Sequence, residues 1–460
     1  MQKDVFNIAD FEKYFQEIVG RIFDSLRPKG SNKNSKNTQT FPKKIAVAVS
    51  GGIDSMALLL LIKKLFVKET EIFCLTVDHN FRKNSKNDAT FVADFCQKNS
   101  LKCVILKSDL TTQPKANIEN SLREVRYSLL QKFCNENSIK HLFIAHHRQD
   151  LAENFLIRLF RGSGIDGLAA MNYQSKLENL NLIRPLLDFT KSDLGQYLNL
   201  NKTAWVEDES NEDEKYLRNQ IRNFLATLKD KEVINHRISL ASQAILQSKK
   251  ILEKETAKQF PKIFKFNNLG YFIVDLAKFC QLESQQINLS VNSIANRYLA
   301  LALMKISGKI YKPRLENLQK LCQIILSKKL NKAHTFYGCV LEKLNDKEIL
   351  IYRQKSEIKE ISATNFQENI IFDDRFLIKF DKDFLKENID LNMRIGTLSP
   401  FKLNQIAKEN SNLKKLKDPI KKIFYTIPIL IKNDKIIAAP QINYFKQPIT
   451  KSILKIKIKL

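Results

Sequence analysis

Residues 45–55 read IAVAVSGGIDS, and the stretch MALLLLIKKLF follows at 56–66. A β-branched apolar run, a turn holding two glycines and an apolar helical segment predict a strand, a loop and a helix N-terminus. Two glycines after a strand let successive N–H groups converge on an anion without Cβ obstruction. The helix adds its unpaired N–H groups and the positive end of its dipole. Phosphate is thus expected against Ser50, Gly51, Gly52, Ile53, Asp54 and Ser55, with both serines donating hydroxyls. Asp54 would repel a phosphate unless a divalent cation lay between them, so Asp54 is assigned to Mg²⁺. The GxxxxGK[ST] spacing is absent, and with it the lysine of that loop.

Apolar strands alternate with helices on both sides of this segment. Residues 44–49, 72–78, 102–107 and 141–146 are strand-like, and 54–66, 86–99, 119–136 and 149–161 carry helical periodicity. The alternation predicts an α/β fold with a doubly wound parallel sheet and a site at the carboxyl ends of its strands. Upstream, Phe11, Phe15, Ile18, Ile22 and Leu26 share one helical face, and KGSNKNSKNTQT at 29–40 reads as a polar connector. Downstream of about residue 225, helices are expected at 237–258 and 290–328, then a hairpin at 339–353. The division expected is an N-terminal helix and linker (1–40), a catalytic domain (41–225), a mainly helical central domain (226–355) and a small α+β C-terminal domain (365–460). The tail LKIKIKL at 454–460 alternates lysine with apolar residues, as a lysine-protected edge strand does.

Composition sets the class. At 460 residues the chain exceeds one compact core, and 43% hydrophobic residues support folded domains. No apolar stretch reaches membrane-span length and the N-terminus carries acidic residues, so a cytoplasmic protein without a membrane partner is expected. Seventy-six Lys plus Arg against 49 Asp plus Glu give a formal charge of +27, which favours a polyanionic partner and salt-sensitive binding. Seven scattered cysteines, with no CxxC pair, argue against a disulfide framework or a cysteine zinc site. They are expected to be small buried apolar side chains. A homodimer is compatible with the sequence.

Further polar residues follow the predicted strands. VDHNFR at 77–82 supplies Asp78, His79 and Arg82. IAHHRQDLAEN at 144–154 supplies His146, His147, Asp150 and Glu153, and the two carboxylates, three residues apart, project from one helix face. They suit an ammonium ligand or a metal. Adjacent histidines point in opposite directions along an extended chain, which disfavours zinc at His146 and His147. Arg161, Gly162 and Gly164 form a turn, Arg123 and Arg126 a helix face, and Arg218 and Arg222 a second arginine pair after the acidic loop 207–214.

SGGIDS resembles the signature of PP-loop ATP pyrophosphatases, whose fold is adenine nucleotide alpha hydrolase-like. Together with VDHNFR, ENSLREVRY, IAHHRQDLAEN, RLFRGSGIDGLAAM, RPLL at 184–187 and WVEDESNEDEKYLRNQIR, it resembles the tRNA(Ile)-lysidine synthase family over residues 44–225. The resemblance implies a ligase that joins free L-lysine to the wobble cytidine of the CAU-anticodon isoleucine tRNA. ATP and Mg²⁺ would serve an adenylated cytidine intermediate, with AMP and pyrophosphate released. Asp54, Arg126, Asp150 and Glu153 are the expected catalytic residues, Asp150 and Glu153 gripping lysine. Asp78, His79, Arg82, Arg123, His146, His147, Arg161, Gly162 and Gly164 are further cleft candidates, and Arg218 and Arg222 are tRNA-binding candidates. The sequence departs from the family pattern at Gln149, Leu151 and Asn154, and the C-terminal resemblance is faint. A thiolase-type tRNA modifier, an NAD or GMP synthetase, and an RNA-binding protein without catalysis are the alternatives. Paired cysteines would favour the first, and indifference to loss of Asp54 the last.

Overall fold

The computed structural model describes residues 6–26, 41–66, 70–78, 85–108, 118–169, 171–207, 217–284, 294–309, 311–387, 392–409, 413, 418–446 and 449–458. His79, Arg82 and the segment 208–216 lie outside these. Two compact units make up the chain, Met1–Lys250 and Ile251–Leu460.

In the first unit, α1 (Ile8–Leu26) precedes β1 (Lys44–Ala48), α2 (Ile53–Leu65), β2 (Glu71–Asp78), α3 (Ser85–Lys98), β3 (Lys102–Lys107), α4 (Ile118–Glu136) and β4 (His141–Phe143). Then come α5 (Arg148–Phe160), α6 (Ile165–Leu168), β5 (Gln174–Leu177), β6 (Leu180–Ile183), α7 (Lys191–Leu200), α8 (Leu217–Thr227) and α9 (Lys231–Ile263), the last crossing the boundary between the units. The sheet order is β3-β2-β1-β4-β6-β5. Every pairing is parallel except that of the edge strand β5 with β6. The chain reverses its winding between β1 and β4, which are direct neighbours. A crevice forms at such a switch point, because the loops leaving the two strands diverge to opposite faces.

The fully buried side chains of β1 and α2, among them Ile45, Val47, Met56, Leu58 and Leu59, explain why α2 is apolar nearly all round. It is covered by the sheet on one side and by α1 and α7 on the other. Helix α1 buries Phe11, Phe15, Ile18 and Ile22, as its periodicity predicts. Its polar flank is tied down as well: the Tyr14 hydroxyl donates to Asp188 at 3.0 Å, and Glu12 accepts from Tyr197 at 3.0 Å and from Lys64 at 2.6 Å. Phe15, 1% exposed, contributes most of any single α1 side chain. Phe15→Ala is expected to cost about 3–5 kcal/mol, read as a lowered urea midpoint with the slope of the transition unchanged.

The second unit carries α10 (Leu276–Ser284), α11 (Ile294–Ser307) and α12 (Leu315–Leu326) against the antiparallel sheet β7-β8-β11-β10-β9, whose strands are Phe264–Asn267, Tyr271–Asp275, Glu348–Arg353, Cys339–Lys343 and His334–Phe336. Periodicity finds α9 and the 339–353 hairpin; the stretch expected as helical over 290–328 is two helices, α11 and α12, parted after Ser307 where Gly308 sits at φ +71, and periodicity misses α10, β7 and β8. Those strands are short, and the helical pattern of α9 runs straight into them. Their turn is legible afterwards, since Gly270 at φ +84 closes it with its N–H on the Asn267 carbonyl. Beyond residue 360 come a five-stranded antiparallel sheet and a three-stranded one. The strand Leu454–Ile458 is an edge of the latter, with Lys455 and Lys457 exposed, as the lysine alternation predicts.

Candidate active site

The loop after β1 and the start of α2 have the form expected of an anion cradle. Gly51 sits at φ +91, a conformation L side chains rarely adopt, and a Cβ there would meet Val206 and Val92, each at 3.5 Å. Gly52 caps α2 with no side-chain hydrogen bond, so the first N–H groups of the helix stay available to a ligand. Within the loop, the Ser55 hydroxyl donates to the Gly52 carbonyl at 2.9 Å and accepts from the Ser50 N–H at 3.2 Å. These bonds fix the turn.

Beside this loop, across the β1/β4 switch, His147 caps α5 and the Asp150 carboxylate accepts from its backbone N–H at 3.1 Å. This capping box places Asp150 and Glu153 in the first turns of α5, and the i, i+3 spacing keeps both on one face. The His147 Nε2 lies 3.4 Å from Asp54 and 3.5 Å from Asp150, bridging the two loops. Burial disfavours the imidazolium, but the Asp150 and Asp54 carboxylates outweigh it and raise His147 to about 9. For Asp150, burial opposes ionisation, and the charge of His147 leads the interactions that nonetheless hold the carboxyl below its ordinary range. The neighbouring His146 behaves oppositely. Burial pushes it down to about 3 despite Asp150, and Arg184 donates to its Nδ1 at 3.1 Å. Two consecutive histidines thus differ in charge at neutral pH, a consequence of facing opposite environments. Arg184 comes from the RPLL segment and is itself buried, bonded to the Asn172 carbonyl and Ser175.

The arginines of α8 close the other side of the carboxylates. Arg218 donates from Nη2 to Asp150 at 2.6 Å and from Nε to Glu153 at 2.7 Å, and Arg222 donates from Nε to Glu153 at 2.6 Å. Glu153 is 5% exposed, Arg218 24% and Arg222 35%. The Asp54, Asp150 and Glu153 carboxylates therefore face as many cations, His147, Arg218 and Arg222. Nothing in the spacing of residues 218 and 222 distinguishes this inward pairing from a solvated helix face.

Asp54 also fits a cation. Its Oδ2 pairs with His147, while its Oδ1 is buried and has no hydrogen-bond partner. A carboxylate oxygen held dry beside a phosphate cradle is what a divalent ion would satisfy. Of the remaining candidates, Asp78 ends β2, half-buried, and Arg123 and Arg126 are exposed on α4, with Arg123 stacked over Tyr127 at 5.3 Å. Arg161, Gly162 and Gly164 lie at the far end of α5, about three helical turns from Asp150.

The PP-loop domain family matches residues 29–228. The tRNA(Ile)-lysidine synthase of Wolbachia pipientis wMel is 34% identical over 419 residues, covering 90% of this chain and 92% of that protein. The tRNA(Ile)-lysidine synthase of the Wolbachia of Brugia malayi is 34% identical over 412 residues, covering 89% and 91%. That of Orientia tsutsugamushi is 32% identical over 415 residues, covering 87% and 90%.

Proposed function

This chain belongs to the tRNA(Ile)-lysidine synthase family, a PP-loop ATP-using ligase family, and from that membership we propose that it attaches lysine to C2 of the wobble cytidine of the CAU-anticodon isoleucine tRNA. The observation that carries the reading onto this chain's own residues is the meeting, at one strand switch point, of a phosphate cradle, an unpaired buried Asp54 oxygen and two ammonium-sized carboxylate anchors.

ATP sits with its phosphates on residues 50–55, held by the N–H groups of the α2 terminus and the Ser50 hydroxyl, while the Ser55 hydroxyl donates to the Gly52 carbonyl and keeps the turn in shape. Asp54 would hold Mg²⁺, which would supply positive charge against the phosphates. The C2 carbonyl oxygen of the flipped cytosine attacks the α-phosphate, pyrophosphate leaves, and the ε-amine of lysine then displaces AMP. Asp150 and Glu153 orient the lysine, and one of them takes the proton its nitrogen must lose before attack. Because the carboxylates are already matched by cations, an incoming ammonium displaces a guanidinium, and Arg222, the more exposed, is the one that swings out. Arg126 is assigned to the adenylated base, with Arg123 and Asp78 as further candidates for the cleft. The regions 226–355 and 365–460 supply basic surface for the tRNA body.

The test is incubation of the full chain with ATP, Mg²⁺, labelled lysine and an isoleucine tRNA transcript bearing CAU. Incorporation into that tRNA, and not into a methionine tRNA with the same anticodon, is the expected result. Binding of tRNA without incorporation at any ATP concentration would sink the reading.

A further inference from the structure

We propose that Cys74, Cys96 and Cys103 form a binding site for one thiophilic metal ion, as three convergent thiolates. The seven cysteines are scattered in sequence, yet these three sulfurs all lie within 4.8 Å of one another. Sulfurs bound at about 2.3 Å to a tetrahedral zinc ion are roughly 3.8 Å apart, so a closure of about an ångström brings the three sulfurs to ligand spacing.

Three independent features of the backbone make the convergence. Cys74 and Cys103 are direct register partners on the parallel strands β2 and β3, so their side chains leave the same face of the sheet. Helix α3, which ends at Lys98, packs on that face with Cys96 buried beneath it. The turn from α3 into β3 is closed by N–H bonds from Asn99 and Leu101 to the Cys96 carbonyl, with Ser100 at φ +55. It returns the chain so that Cys103 faces Cys96. Cys74 and Cys96 are fully buried and Cys103 is half-buried, which leaves an approach for an ion and an open coordination position on the Cys103 side.

Soft thiolates select zinc or copper(I) over magnesium or calcium. Binding forms three sulfur–metal bonds and releases a proton from each thiol to solvent, with no electron transferred. The site also has a mechanical connection to the nucleotide loop. Val92, one helical turn before Cys96 on α3, is one of the residues a Cβ at Gly51 would touch. A metal that clamps β2, α3 and β3 would therefore stiffen the wall on which the loop rests.

The full chain, stripped of metal under reducing conditions, is titrated with Co²⁺ and then with Zn²⁺. The expected result is a thiolate-to-cobalt charge-transfer band that saturates at one equivalent and is displaced by Zn²⁺. That band should be lost in Cys103→Ser and Cys96→Ser and kept in Cys134→Ser, a buried cysteine outside the cluster. Should Cys96→Ser fail to fold, Cys103→Ser, at the half-buried position and checked by circular dichroism, keeps the test decisive. A signal that does not saturate, or that persists unchanged in Cys103→Ser, overturns the proposal.

Discussion

Asp54→Asn is expected to lower lysine incorporation by at least about a hundredfold while tRNA affinity stays within about twofold of the native protein. The substitution keeps the shape of the side chain and removes its charge. Two consequences follow from where Asp54 sits. Its buried Oδ1 loses the charge that would hold a cation against the phosphates. Its Oδ2 ceases to stabilise the His147 imidazolium, which then depends on Asp150 alone among the two carboxylates beside its Nε2. Pyrophosphate release should fall in parallel with lysine incorporation, since the loop serves the first chemical step. The measurement is single-turnover pyrophosphate release with the CAU isoleucine tRNA, beside a filter-binding titration of the same tRNA. Native-like turnover in the variant would remove Asp54 from the reaction and favour an RNA-binding protein that merely retained the fold.

Glu153→Gln is expected to separate the two chemical steps. Lysine transfer falls about tenfold to a hundredfold, the equivalent of one or two charge-assisted hydrogen bonds, whereas tRNA-dependent pyrophosphate release continues without lysine. Glu153 is where the anchoring charge is most enclosed, at 5% exposure, with Arg218 on one oxygen and Arg222 on the other. Neutralising it removes the charge that Arg218 and Arg222 both face, Arg218 alone of the two also pairing with Asp150, so a stability loss on the order of 1–3 kcal/mol accompanies the functional one. The variant is therefore assayed well below its unfolding midpoint. Arg222→Gln supplies the opposite sign. Removing the cation that competes with lysine should lower the apparent KM for lysine and, because a phosphate contact is lost if Arg222 turns to RNA, flatten the salt dependence of tRNA binding by about one unit. Equal loss of pyrophosphate release and lysine transfer in Glu153→Gln would place Glu153 in the architecture of the first step and not in lysine binding.

Much of this was legible residue by residue. The strand, glycine turn and helix of 45–66 are local, and so are the i, i+3 pair Asp150 and Glu153 and the apolar face of α1, whose members lie where the periodicity puts them. Short strands were harder. The hairpin β5–β6 and the pair β7–β8 have only four or five residues per strand, too few for alternation to outweigh adjoining helical patterns. The cysteines show the limit most clearly, since their spacing gave no sign that the sulfurs of Cys74, Cys96 and Cys103 lie within 4.8 Å of one another.

The sequence by itself determined the kind of chemistry, because an anion cradle and a carboxylate pair are made by residues adjacent along the chain, where backbone geometry leaves few choices. Only the tertiary structure decided what those groups face. That Asp54 meets His147 depends on β1 lying beside β4 at the winding reversal, that Arg218 and Arg222 turn inward onto Asp150 and Glu153 depends on α8 packing on α5, and that burial holds His146 well below the usual imidazole range, with Arg184 donating to its Nδ1, depends on β4 lying beside β6. Such contacts join distant segments, and their strength comes from burial and from the charges brought together, neither of which has a period that a sequence can display.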